Sequence, residues 1–436
     1  MKKVIRSLAL GMAVASTLLA GSATANNIVP GAPQSAPVLL QGGTVHTVSD
    51  GVLEGADVIF ADGKIVAVGN NLSAPEGARI LDITGQHVYP GFIALDTTLG
   101  LVEMEAVRAT VDTNEVGNFT PEVQAHHAYN ADSNVTPTIL YTGITHAQIV
   151  PEGSLVRGQS SLLKLDSWNW RDGLEQSDLG IHLSWPRVGL NTAWWERRSP
   201  EEQKQAQARQ REELAEIMET AEVYHGARES GVQTRIDRRW EAMRGLFSKE
   251  KKLFVHADDR RQIEEVLAFN ERHGFDLVLM GGRDAWMLAD AIAAADIPVV
   301  FGSPYGLPAR VDEAYDTAFS TPARLAEAGV EFAIAYPGFW DVRNLAFAAG
   351  NAVAFGLDYD QAVAAITHAP AKILGVEDRL GSISVGKQAT LIVSAGDALD
   401  HLGQRINFMF IGGREVDLTN KQKELYEKYQ QRADSE

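Results

Sequence analysis

Between residues 138 and 335 the chain alternates short, mainly apolar runs with longer stretches of helical periodicity. This alternation constrains the fold more than any other feature. The runs at 144–150, 181–185, 253–256, 277–280, 298–301 and 331–335 are the length of buried strands. The stretches at 262–273 and 285–295 carry apolar residues at helical spacing. Buried strands alternating with helices predict a parallel sheet, either open or closed into a barrel. The pattern alone does not choose between them.

The two ends read differently. Short β signals occur at 38–40 and 44–46, and a hairpin is predicted over 56–68, where Ala61-Asp62-Gly63 separates two alternating apolar runs. Residues 390–393 and 408–416 have the same character. Two β-rich ends around an α/β middle predict one small β domain built from both. A charged helix follows over about 420–431. Residues 197–250 mix both charge signs, with Leu214, Ile217, Met218 and Ala221 at helical spacing. They predict one or two long amphipathic helices in an outer layer or lid, not a nucleic-acid arm.

Lys2, Lys3 and Arg6 precede an apolar run to Gly21 and a small-residue Ala23-Thr24-Ala25 site. This is the pattern of a secretory signal peptide cleaved after Ala25, with a polar linker to Ser35. The chain has no cysteine, so lipid attachment through cysteine and disulfides are both excluded. Cleavage would remove three positive charges and no negative ones, taking the formal net charge from −18 to −21. That balance disfavours nucleic acid and anionic membranes as partners. No later apolar run is long enough to cross a bilayer, so a periplasmic protein is expected.

The string Val88-Tyr89-Pro90-Gly91-Phe92-Ile93 resembles the start of the barrel in the amidohydrolase superfamily. Residues 364–376 (AAITHAPAKILGV) and 381–393 (GSISVGKQATLIV) resemble that superfamily's last barrel helix and its return into the β domain. The resemblance covers nearly all of residues 37–416 and is nearest the imidazolonepropionase-like branch. It implies an α/β fold: a (β/α)8 TIM-like barrel over 90–380 and a β-sandwich composed of 36–89 and 381–416; the charged helix belongs to a C-terminal segment at 417–436 beyond the resemblance.

The same resemblance sets what a metal site would need. The superfamily carries His-x-His on the first barrel strand, because residues at i and i+2 face one side. Here those positions hold Asp96 and Thr98. Asp96 offers a hard oxygen; Thr98 is a poor zinc ligand. His256 matches the fifth-strand histidine, with Asp258 two residues on. The sixth-strand match falls at Met280-Gly281-Gly282 and the eighth at Ala335-Tyr336-Pro337-Gly338, with Asp341 nearby. Lys164 is the nearest stand-in for a bridging lysine. Catalytic zinc usually takes three protein ligands. Asp96 and His256 make two, so no cofactor follows, and a divalent metal such as zinc is the weaker of two readings.

Other segments bear on chemistry. Neither a Gly-x-Ser-x-Gly elbow nor a cysteine supports acyl-enzyme chemistry. Residues 151–161 (PEGSLVRGQSS) predict a glycine-containing binding loop, in which Arg157 clamps a carboxylate and Gln159 contacts substrate. His126 and His127 read as core or supporting groups, and His146 as one near the mouth. Trp168, Trp170, Trp185, Trp194 and Trp195 either wall a pocket or pack an insertion. Two function classes stand. One is a hydrolase of amide or cyclic C–N bonds in small molecules, with His256 and Asp258 as catalytic residues. The other is an inactive paralogue that binds a ligand, forms a homo-oligomer, or pairs with an intact family member.

Overall fold

The computed structural model describes residues 29–433; the expected signal peptide and its cleavage point lie outside the described residues. The ends of the chain share one sheet. Strands β1 (Val38–His46), β2 (Val52–Ala61), β3 (Lys64–Gly69), β4 (Arg79–Asp82) and β5 (His87–Pro90) come from the N-terminal side. Strands β14 (Leu391–Ser394), β15 (Ile406–Ile411) and β16 (Arg414–Glu415) join through an antiparallel β14–β5 ladder. The β2–β3 turn puts Asp62 at φ 50° and Gly63 at φ 76°, left-handed at both centres as a tight hairpin requires. The described pairing joins the strands of both chain ends into one continuous eight-stranded sheet. It curls around Leu40, Val58, Phe60, Val88, Leu391 and Phe410.

The middle of the chain forms a second, nearly closed eight-stranded sheet of TIM-barrel type. In spatial order it runs β6 (Phe92–Thr97), β7 (Ile144–Ile149), β8 (Val156–Lys164), β9 (Leu174–Ser184), β10 (Lys252–Ala257), β11 (Leu277–Gly281), β12 (Val299–Phe301) and β13 (Phe332–Ile334). Between β13 and β6 the seam is bridged rather than laddered. Ile334 donates to the Ala365 carbonyl and Ile93 to the Ile366 carbonyl, each at 2.9 Å, and Thr98 donates to Gly338. The expectation of eight strand–helix repeats fails at one place. Strand β8 runs antiparallel to both β7 and β9. A parallel return needs a crossover of a dozen or more residues. The connection from Ile149 to Val156 is far shorter, so the segment read as a binding loop becomes a hairpin strand instead.

Helices cover the barrel. Pro200–Glu229 is capped by a Ser199–Glu202 capping box and buries Leu214, Ile217, Met218 and Ala221. With Arg238–Phe247 it forms the outer layer expected from the amphipathic pattern. The C-terminal helix Lys421–Ala433 touches the barrel side through Gln422 and Thr138. Among the described residues no helix is long and apolar enough to cross a membrane.

The junction between the two sheets explains one motif. Gly91 separates β5 from β6, where the backbone passes against β7. A Cβ at Gly91 would meet the Thr145 side chain at 2.4–2.9 Å. Thr145 is itself fixed by its bond to the Phe92 carbonyl. Overpacking of this kind costs about 1–3 kcal/mol. Gly91→Ala should therefore lower stability by at least that amount in equilibrium denaturation, and a variant as stable as the parent would refute this account of the Pro-Gly step.

Candidate active site at the barrel mouth

Inward-facing residues of the barrel divide it into two halves. Ile93, Leu95, Phe254, Val278, Met280, Val300, Ala333 and Ala335 are buried together as an apolar lining. The β7–β10 side is polar: Gln148, Ser160 and His182 are fully buried there. Those groups must be hydrogen-bonded to be tolerated, and they are bonded to one another. Gln148 Nε2 donates to Ser160 Oγ at 2.9 Å. Ser160 Oγ lies 2.8 Å from His182 Nε2, and His182 Nδ1 lies 2.9 Å from His256 Nε2. At the far end, the Asp96 backbone N–H donates to Gln148 Oε1 at 3.2 Å.

Above this polar half lies a cavity of about 650 Å³, lined by Asp96, Arg157, Ser184, His256, Asp258 and Arg283 among others. It sits at the C-terminal ends of the parallel strands, where barrel enzymes place their chemistry. Trp185 and Arg187 form part of a wall shared with a neighbouring 310 Å³ cavity beneath the 200–229 helix.

Two charges in the cavity are unspent. Asp96 stands at a break in the β6–β7 register, with φ 57° in the left-handed region. A non-glycine residue is rarely held there except where surrounding structure imposes it, often at functional sites. Among the described residues its carboxylate accepts no hydrogen bond. Burial pushes its pKa up to about 6, Asp258 and Glu152 add to the rise, and Arg157 opposes it. Arg157 stands at a break in the β8–β9 register beside Gly158, whose φ is 124°. The bulge turns its side chain into the cavity. Its Nε donates to Ser184 Oγ at 2.7 Å, and among the described residues its terminal nitrogens have no partner. Burial lowers its pKa from the usual guanidinium value, while Asp96 and Glu152 hold it up.

Asp96, Arg157, His256 and Asp258 are therefore brought together, but not as the sequence suggested. His256 is bonded to His182, not to Asp258. The Asp258 carboxylate accepts from the Arg283 backbone N–H at 3.2 Å and lies over Gly281, where a Cβ would approach it to 2.7 Å. Gln159 does not reach the cavity. It points to the outside of β8, donating to the Pro121 carbonyl and accepting from Lys251. The two-residue alternation that linked Arg157 to Gln159 is broken by the bulge between them. Thr98 is buried in the seam with β13. Lys164 is at the opposite end of β8, paired with Asp172 at 3.7 Å. His146 is also far from the mouth; it is fully buried, bonded to Thr145, with Nε2 unpartnered. His126 bonds Ser161 and packs with His127 on Trp170. Of the five tryptophans, Trp185 lines the cavities, whereas Trp168, Trp194 and Trp195 are exposed.

His182, Ser160 and Gln148 were not singled out from the sequence. Their signal was a polar residue at inward parity within an otherwise apolar strand. Burial, Arg157 and the neighbouring His182 hold the His256 pKa well below that of free imidazole; burial and Arg157 do the same for His182. Both shifts favour the neutral ring. Among the described residues, no group of three or more His, Cys, Asp or Glu side chains is placed to hold a metal ion.

A model of the amidohydrolase family matches residues 316–420. The crystal structure of an amidohydrolase from Thermotoga maritima superposes with a TM-score of 0.75 and 28% identity, covering 87% of this chain and 99% of that one. A prolidase solved with N-methylphosphonate-L-proline superposes at TM-score 0.55 and 18% identity over 88% of this chain and 100% of its own, which speaks to the fold alone. The chain is thus similar to the amidohydrolase family in sequence over residues 316–420 and in fold over most of its length. The dihydroorotase of Citrifermentans bemidjiense is 35% identical over 86 residues, 19% of this chain and 20% of that protein. The match thus spans about a fifth of the curated relative.

Asp96 gives a test with a definite sign. Its folded pKa of about 6 lies above the unfolded value near 3.8. The native state therefore loses stability as pH rises from about 4 to 6, and the full cost is present above 6. At about 1.4 kcal/mol per pKa unit the cost is at most about 3 kcal/mol, and partial exposure reduces it. Asp96→Asn should be more stable than the parent by about 1–2 kcal/mol at pH 7.5, with the difference vanishing at pH 4. Denaturant titration at the two pH values measures this; an unchanged or lower stability at pH 7.5 contradicts the assignment.

Proposed function

We propose that this protein is an exported, periplasmic hydrolase of the imidazolonepropionase-like branch, which opens an amide or cyclic C–N bond in a small carboxylate-bearing molecule without the family's metal centre. The observation that carries the reading is the pairing, in one cavity at the barrel mouth, of an unspent carboxylate with an arginine whose terminal nitrogens are unspent. An ionised Asp96 takes a proton from water as the oxygen adds to the substrate's carbonyl carbon. The same proton passes to the departing nitrogen as the C–N bond breaks. Arg157 holds the substrate's carboxylate through its fork of donors. A base with pKa near 6 is ionised at neutral pH and still basic enough to act.

We read the donor set as unfit for the metal centre the family implies. Support comes from Met280 and Ala335, buried apolar side chains at the positions matched to the sixth- and eighth-strand ligands. It comes also from His256, whose Nε2 is occupied by His182. The roles expected of Asp96 and His256 as metal ligands, and of Asp258 as catalytic partner, pass to Asp96 as base. The same donor set favours one second reading, an inactive paralogue that binds its ligand or pairs with an intact amidohydrolase.

The test is turnover of N-acyl amino acids and carboxylate-bearing five- and six-membered cyclic amides, in the presence of a chelator. Hydrolysis should survive chelation, show an acid limb near pH 6, and fall about 100-fold or more in Asp96→Asn. Arg157→Met should raise KM more than it lowers kcat. Turnover that requires added metal would refute the mechanism. Ligand-induced stabilisation with no hydrolysis would favour the second reading.

A further inference from the structure

The hydrogen bonds crossing the barrel run from β6 to β10 through one group on each strand, and their direction can be worked out atom by atom. The starting donor is unambiguous. The Asp96 backbone N–H can only donate, so the Gln148 atom 3.2 Å away is its oxygen, and its amide NH2 faces Ser160. Ser160 Oγ accepts from that NH2. Its own hydrogen has one acceptor in reach among the described residues, His182 Nε2 at 2.8 Å. A neutral His182 that accepts at Nε2 carries its proton on Nδ1. That proton points at His256 Nε2, 2.9 Å away. A neutral His256 that accepts at Nε2 must carry its proton on Nδ1.

The remaining nitrogen, His256 Nδ1, has no protein partner among the described residues. Nor is it among the buried unpartnered atoms, and His256 lines the cavity. We infer that His256 is held as the neutral Nδ1–H tautomer and presents that N–H to the cavity, and that His182 is the positioning residue that imposes it. The ligand class follows from the donor. Together with Arg157, the cavity offers hydrogen-bond donors to a carbonyl or carboxylate oxygen, and His256 does not offer a lone pair to a metal. In the hydrolysis proposed above, whose cavity this inference shares, the Nδ1–H donates to the carbonyl oxygen as it gains charge when water adds.

The direction depends on Gln148. A carboxylate at that position has no donor, so an ionised Gln148→Glu side chain would take the Ser160 hydrogen. Ser160 would then accept from His182 Nε2–H, His182 Nδ1 would accept from His256 Nε2–H, and His256 Nδ1 would be left bare. The substitution is nearly isosteric, yet it reverses three bonds.

The experiment is ring-nitrogen NMR of the full-length protein labelled with 15N-histidine at neutral pH, with His256→Gln and His182→Gln used to assign signals. The parent should give a protonated, pyrrole-type His256 Nδ1 and a pyridine-type Nε2, and Gln148→Glu should exchange the two. A His256 that is Nε2-protonated, a mixture of tautomers or an imidazolium in the parent overturns the inference, as does a Gln148→Glu protein that keeps the parent pattern. Should the variant not fold, the parent spectrum alone decides. The readout needs no turnover, so a protein that hydrolyses nothing but shows the Nδ1–H tautomer would refute the hydrolase reading and leave this one standing.

Discussion

The short connection between β7 and β8 governs most of what is distinctive in this molecule. With too few residues for a crossover, the chain can only return antiparallel, and the start of β8 rather than its end arrives at the barrel mouth. That is how Arg157, near the beginning of its strand, comes to share a cavity with residues from the ends of β6, β9 and β10. The same strand inserts Ser160 between Gln148 and His182. A regular strand–helix repeat would have offered the C-terminal end of its third strand instead. The site therefore departs from a regular strand–helix barrel in its chain direction.

The barrel interior shows why a row of buried polar groups is tolerated. An unsatisfied buried donor or acceptor costs about 1–3 kcal/mol, whereas a completed set costs little. From the Asp96 amide to His256 Nε2 each atom in the row has a partner, and the row opens onto the cavity at its His256 end. Asp96 and Arg157 are different: burial desolvates both charges, and among the described residues the Asp96 carboxylate accepts no hydrogen bond while Arg157 donates only through Nε, to Ser184. Such an arrangement lowers stability and is retained where a ligand completes it.

Much of this was legible in the sequence, and the illegible part has physical causes. Apolar runs at 253–256 and 277–280 announced β10 and β11, because strands buried on both faces leave no alternative composition. The Asp62-Gly63 hairpin was readable because its turn needs residues that accept positive φ. Asp96, Arg157, His256 and Asp258 were picked out by type and position, and all four line one cavity. Gln159 was misplaced because a bulge breaks alternation without leaving a mark in composition. His182 escaped notice because a single histidine in a strand looks the same whether it is buried packing or a link between two other side chains. Strand order and direction, which decide that, are tertiary facts.

The split β domain has a consequence for how the protein is made. Strand β5 pairs with β14, so Pro90 lies against Leu391 across more than two thirds of the polypeptide. Contacts so distant in sequence form slowly, because the loop between them must be ordered first. While a ribosome is still producing the barrel, the edge of β5 has no partner and stands open to other chains. The last strands made are therefore the ones that seal the first, and a chain interrupted anywhere before residue 391 would carry an adhesive sheet edge however well its barrel had folded.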